Sequence, residues 1–142
     1  MEKEEIIKKF SITEKQKLLI EKYLFSLSDF NRHTNLVGKS TLVEPWVSHV
    51  LDSLQIISFI KDKNVKILDM GTGTGLPGII LKICGCKDVT LIDSNGKKIN
   101  FLKKINLETN LGIKPLLGRL ESFGNLKFDI ITSRALANLN NL

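Results

Sequence analysis

Several residue types are scarce in this chain of 142 residues: it has two cysteines, two histidines, one tryptophan and one tyrosine. Cys84 and Cys86 flank a single glycine in ICGCKD. That gap fits neither a CxxC redox pair nor half of a zinc site, so both read as small hydrophobes near a helix end. Two histidines and no cluster of ligating side chains give no expectation of a metal. No apolar run approaches the roughly 18 residues needed to cross a bilayer, and the charged start MEKEEIIKKF lacks a signal-peptide pattern. A cytoplasmic protein without a membrane partner is the expectation. Repeats and low-complexity segments are also absent. Charge is the one mild excess: 21 Lys and Arg against 15 acids give a net charge of +6. That permits nucleic-acid binding without demonstrating it, because a basic patch is often only solvated surface.

What is there falls into two parts. Over 11–33 the apolar residues Leu19, Tyr23, Leu27 and Phe30 recur at spacings of three and four, which predicts one helical face. Ser11 with Glu14 three residues on reads as a capping box at its start. A second helix is predicted from Pro45 to Phe59, with Pro45 at the first position and a stripe of Trp46, Val50, Leu54 and Ile57. After the polar break Lys61–Asn64 the rhythm changes. Short β-type runs stand at VKILDM (65–70), VTLID (89–93), IKPLL (113–117) and FDIIT (128–132). The helical stretches PGIILKIC and GKKINFLKKINLETN separate the first three, and GRLESF precedes the fourth. Strands alternating with helices imply parallel pairing through right-handed crossovers. The expected architecture is therefore α/β: a helical cap over 1–62, then an open parallel sheet over 63–142.

The first strand runs into ILDMGTGTGLPG, four glycines within eight residues. In an open α/β sheet, ligands sit beyond the carboxyl ends of the strands, so this turn is the expected site. Gly71, Gly73 and Gly75 let backbone approach a ligand closely, and Pro77 then starts a helix whose first N–H groups would face the same space. A tight turn with no ligand would need one glycine, not four. Gly73-x-Gly75-x-x-Gly78 also matches the dinucleotide fingerprint, with Asp93 at a plausible distance for a ribose contact. Two acids favour another ligand. Asp69, two residues before Gly71, would repel a pyrophosphate but suit the cationic end of S-adenosylmethionine. Asp93, ending TLIDS, has the acceptor capacity to take both ribose hydroxyls, although a plain strand-end turn residue would look the same.

At this point the chain resembles a known family. DMGTGTGLPG, TLIDSNGKK and FDIITSRALA are similar to the bacterial guanine-N7 methyltransferases of the small-subunit ribosomal RNA, also called glucose-inhibited division protein B. NLVGKSTL ahead of HVLDSL matches the helical entry of that family, and the likeness spans nearly the whole chain. It implies a Rossmann-like class I methyltransferase fold that uses S-adenosylmethionine and methylates guanine N7 in 16S ribosomal RNA or the small ribosomal subunit. It further implies that Gly71 and Leu76 line the cofactor pocket, that Asp93 holds the ribose, and that Leu120 and Glu121 bracket the adenine. Arg134, in TSRAL, would face the methyl-transfer site. From the residues alone, Glu121 reads as a solvated acid and Arg134 as a surface cation. His49 and Asp52, three apart on the second helix, are expected to tie the cap to the sheet. The family commonly has an arginine where this chain has Ser48. Lys97, Lys98, Lys103, Lys104 and Arg119 are candidates for RNA backbone contacts.

The family's sheet has seven strands, whereas four are found here. Its strand order would put the fourth beside the first, as an apolar edge that invites association. Three expectations therefore go forward, the first two from the resemblance and the third from the glycine fingerprint. The chain is an active methyltransferase completed by a C-terminal fragment or a second copy, or a remnant that binds cofactor at most, or an NAD(P)-binding module.

Overall fold

The computed structural model describes residues 1–133. It opens with a short helix that apolar spacing alone did not single out, α1 (Lys3–Lys9), whose Ile6 is fully buried. Then comes α2 (Glu14–Asn31). Its capping box sits two residues later than the Ser11–Glu14 pair: the Thr13 hydroxyl accepts from the Gln16 N–H at 3.1 Å, and the Gln16 side chain accepts from the Thr13 N–H at 3.0 Å. Ser11 instead has φ 53°, turning the chain between the two helices. Ile20, Tyr23, Leu24 and Leu27 are buried, with Leu19 and Phe30 half-buried beside them, as the spacing predicted.

The segment expected as one helix over Pro45–Phe59 is two pieces. A wide π-type turn covers Trp46–Val50, and α3 (Leu51–Ile57) continues from it. The extra residue in such a turn shifts the faces of the two pieces relative to each other. Trp46, Val50 and Leu54 still reach the interior.

β1 (Lys66–Met70), β2 (Asp88–Asp93), β3 (Lys114–Leu117) and β4 (Ile130–Thr132) form a parallel sheet in the order β3-β2-β1-β4. The fourth strand is somewhat shorter than its apolar run. It pairs with β1, Asp69 opposite Thr132, and is an edge among the described residues. α4 (Gly78–Ile83) packs on β2, and α5 (Gly96–Thr109) packs on β2 and β3. Asn95 starts α5 by accepting from the N–H groups of Lys97 and Lys98. Asn110 ends it in the left-handed conformation at φ 55°.

Ile67, Val89 and Leu91 on the covered sheet face pack with Ile79, Phe101, Leu102 and Ile105 from the helices. The same cluster takes in Ile6, Tyr23, Leu27, Val50 and Leu54. The polar break at Lys61–Asn64 lies between α3 and β1, but the packing runs straight across it. Each such buried aliphatic or aromatic side chain contributes about 1.5–3 kcal/mol. The two cysteines behave as small hydrophobes. Burial, and then the neighbouring Cys86, push the Cys84 thiol up to about 11, and burial also raises Cys86.

Candidate functional site

The glycine turn leaves β1 and is fixed from beneath. Asp69 is fully buried. Its Oδ2 accepts from the Thr72 hydroxyl at 2.6 Å and from the Gly78 N–H at 2.9 Å, while Oδ1 accepts from the Thr132 hydroxyl at 3.0 Å. This differs from the expectation in two ways. The Asp69 carboxylate serves the turn, not the ligand side of it, and the first N–H of α4 points at that carboxylate instead of into the ligand space. The cause is strand parity: Asp69 is two residues from Ile67, so both face the covered side of the sheet.

The glycines divide by purpose. A Cβ at Gly71 or Gly73 would meet nothing within 4 Å, and both residues have φ near +60° (62° and 61°), which favours glycine. Their bare backbone borders open space. A Cβ at Gly78 would instead lie 2.1 Å from the Leu91 side chain and 2.9 Å from Asp69 Oδ2, so this glycine lets α4 pack onto the sheet. Gly75 is likewise buried, against Ile79 and Leu102.

Asp93, at the end of β2, reaches across to the turn. Its Oδ2 accepts from the Gly73 N–H at 2.8 Å and its Oδ1 from the Asn95 N–H at 2.8 Å. Each carboxylate oxygen has a second lone pair, so both keep capacity for a hydroxyl donor. The Asp93 carbonyl accepts from the Gly118 N–H at 2.9 Å, which starts the segment after β3 beside it. Between these parts lies a cleft of about 230 Å³ lined by Gly71, Asp93, Ser94, Arg119, Leu120 and Glu121 among others. Three strand ends therefore converge on one hollow.

A second cleft, of about 330 Å³, lies on the other side of the turn and shares Gly71 with the first. Gly73, Leu76 and Lys98 line it together with Leu36, Val37, Thr41, Ser48 and His49 from the cap. Asn31 places part of that wall: its side-chain oxygen accepts from the N–H groups of Leu36 and Val37, at 2.7 and 3.0 Å, and folds the loop after α2 back.

Of the residues singled out from sequence, Gly71, Asp93, Leu120 and Glu121 meet in the first cleft, and Gly71, Gly73 and Leu76 border the second. Asp69 and Gly75 are buried behind them, and Arg134 lies outside the described residues. Leu36, Val37 and Thr41 lie in the NLVGKSTL stretch that carried the family likeness, but only the tertiary fold brings them to the turn.

The first cleft suits one ligand chemistry better than the other. A dinucleotide pyrophosphate is held by the free N–H groups of such a turn and of the helix after it. Here the Gly73 and Gly78 N–H groups are committed to carboxylates, and two acids, Asp93 and Glu121, line the hollow. Ribose hydroxyls and an amino group, which donate hydrogen bonds, fit that wall, whereas a pyrophosphate does not.

Comparison with solved structures places the sheet among known folds. The YcgJ protein from Bacillus subtilis aligns over 63% of this chain and 39% of its own, with TM-score 0.56 and 20% identity. A mutant of MtNAS in complex with S-adenosylmethionine aligns over 87% of this chain and 51% of its own, with TM-score 0.57 and 14% identity. At those identities the likeness concerns the fold, which is Rossmann-like. Sequence relatives are nearer. A ribosomal RNA small subunit methyltransferase G from Rickettsia massiliae is 38% identical over 138 residues, 97% of this chain and 66% of the relative. One from Orientia tsutsugamushi is 37% identical over 122 residues, 86% of this chain and 61% of the relative. The chain thus spans about two thirds or less of the length of these relatives. The family model for rRNA small subunit methyltransferase G matches residues 16–142, so the chain belongs to the rRNA small subunit methyltransferase G (GidB) family.

Proposed function

We propose that this chain binds S-adenosylmethionine in the cleft beside the glycine turn and directs its methyl group to guanine N7 in 16S ribosomal RNA. The observation that carries the reading is the commitment of the Gly73 N–H to Asp93, which leaves a carboxylate-lined hollow where a dinucleotide would need free donors. Family membership supplies the reaction class.

In this reading Asp93 takes the ribose hydroxyls on its remaining lone pairs, and Leu120 and Glu121 border the adenine. The bare backbone of Gly71 and Gly73 leaves room for the rest of the donor. Asp69 acts one layer behind, holding the turn in shape. Leu76 lines the cofactor pocket with Gly71, the cap residues of the second cleft border the space for the incoming base, and Lys98 lies at the rim for RNA phosphate. Arg134 belongs to the methyl-transfer side. When bound, the donor supplies a methyl on a cationic sulfur, which N7 takes with its own lone pair. No proton has to be removed, so the chain's task is positioning, not acid–base chemistry. The cap (1–62) and the sheet half (63–142) would act as one unit in a cytoplasmic protein, and no helix among the described residues is long and apolar enough to cross a membrane. A C-terminal fragment or a second copy pairing with the β4 edge belongs to the same proposal.

The test is transfer of labelled methyl from S-adenosylmethionine to small-subunit RNA, together with calorimetric titration of the donor. Gly73→Asp fills the open side of the turn and is expected to abolish both signals. Donor binding without transfer, even with a supplied C-terminal fragment, would reduce the proposal to cofactor binding, and preference for a nicotinamide dinucleotide would overturn it.

A further inference from the structure

Tyr23 lies on no strand or loop of the site, yet it reaches the glycine turn. From α2 its hydroxyl donates to the Thr74 carbonyl at 2.8 Å, across 51 positions of sequence. Both residues are buried, Tyr23 at 0% and Thr74 at 7% exposure. The ring is held in place by Phe101 of α5, with centroids 6.1 Å apart, and Phe30 packs on the same Phe101 at 5.4 Å. α2 is also tied down on either side of Tyr23. The Ser26 hydroxyl donates to Glu108 Oε2 at 2.6 Å, and Lys22 donates to the Glu108 carbonyl at 2.7 Å.

The bond matters because of which peptide it grips. The Thr74–Gly75 unit offers its carbonyl to Tyr23 and its N–H to the Thr72 carbonyl at 3.0 Å, so its plane is fixed at both ends. Asp69 and Asp93 anchor the turn at Thr72, Gly73 and Gly78. The stretch between Gly73 and Gly78 is where the helical cap takes hold. Without the hydroxyl, a buried carbonyl loses that donor and the peptide plane gains freedom to rotate.

We infer that Tyr23 is a positioning residue for the ligand turn: through one buried hydroxyl the helical cap orients the Thr74–Gly75 peptide, and with it the bare backbone at Gly71 and Gly73. The inference rests on the cofactor reading above, but part of its test does not need the cofactor. Tyr23→Phe keeps the ring and its packing and removes only the oxygen. Ser26→Ala removes an α2–α5 hydrogen bond without touching the turn, and serves as the control for general loosening of the cap.

Hydrogen exchange of the ligand-free protein is followed at the amides of residues 72–76 and at those of β1 and β2, alongside calorimetric titration with S-adenosylmethionine. Tyr23→Phe is expected to speed exchange in the turn and to weaken donor binding, each by about fivefold, the equivalent of one buried hydrogen bond, while the strand amides stay unchanged. Ser26→Ala is expected to leave turn exchange and donor affinity as they are. Unchanged turn exchange in Tyr23→Phe would overturn the inference, as would an equal response to Ser26→Ala. If the unmodified protein binds no donor, the cofactor reading fails, and the exchange comparison still decides whether Tyr23 holds the turn.

Discussion

The two walls of the first cleft are built in opposite ways. The glycine turn is braced by the buried Asp69 carboxylate, which accepts from the Thr72 hydroxyl, the Gly78 N–H and the Thr132 hydroxyl, by Asp93, and by a tyrosine from the cap. The facing wall, Arg119–Glu121, is exposed, with Leu120 at 37%, and hangs from the Gly118 N–H bond to β2 and a single short turn over Leu120–Phe123. Rigid backbone suits the side where a ligand must be approached closely, since a small misplacement there costs positioning. The contrast teaches that this cleft pairs a braced backbone on one side with an exposed segment on the other.

The strongest way to break that contrast is at Asp69. Asp69→Ala leaves the Thr72 hydroxyl, the Gly78 N–H and the Thr132 hydroxyl without this acceptor in a dry interior. It should cost about 3 kcal/mol or more, a fall in melting temperature of about 10 °C by calorimetry. A near-normal melting temperature would mean that the turn is held by something else. On the other wall, Glu121→Ala should leave the melting temperature unchanged and weaken S-adenosylmethionine about threefold in a titration, as for one exposed hydrogen bond. A stability loss there would erase the distinction between the walls.

The smallest effect lies away from both walls and sets a baseline. Hydrogen bonds from Lys104 and Ser26 hold the Glu108 carboxyl below its ordinary range. A depressed folded-state value means that ionised Glu108 stabilises the fold above the unfolded-state value, and that this contribution is lost as pH falls through the folded one. Glu108→Gln should therefore cost ~0.5 kcal/mol at neutral pH. The gap from the unmodified protein should close in melts run at progressively more acidic pH.

The sheet was legible in the sequence because its signals are local: apolar runs of strand length, glycines at the turn, helical spacing between. The parallel order and the partner of β4 followed from alternation and from the family likeness. Asp69 was read as facing the ligand, whereas its spacing from Ile67 on a strand puts it on the covered face, where it braces the turn. The capping box at Thr13 was missed because Ser11 and Thr13 both head plausible boxes, and the positive φ at Ser11 decides between them. The π-type turn at Trp46–Val50 and the cap wall formed by Leu36, Val37 and Thr41 arise from tertiary packing that no local pattern encodes. Tyr23 was legible as a core residue of its helix, but not as a hydrogen-bond donor to a turn 51 positions away.

One consequence follows from the hydrophobic cluster that joins Ile6, Tyr23 and Leu54 to Ile67 and Leu91. A cap with a separate interior could swing like a lid to admit a nucleotide. This one shares its oil with the sheet, so lifting it would wet aliphatic and aromatic surface on both sides at once, a cost comparable to melting the protein. The helices of the cap are thereby seated by the same interior that holds the sheet together.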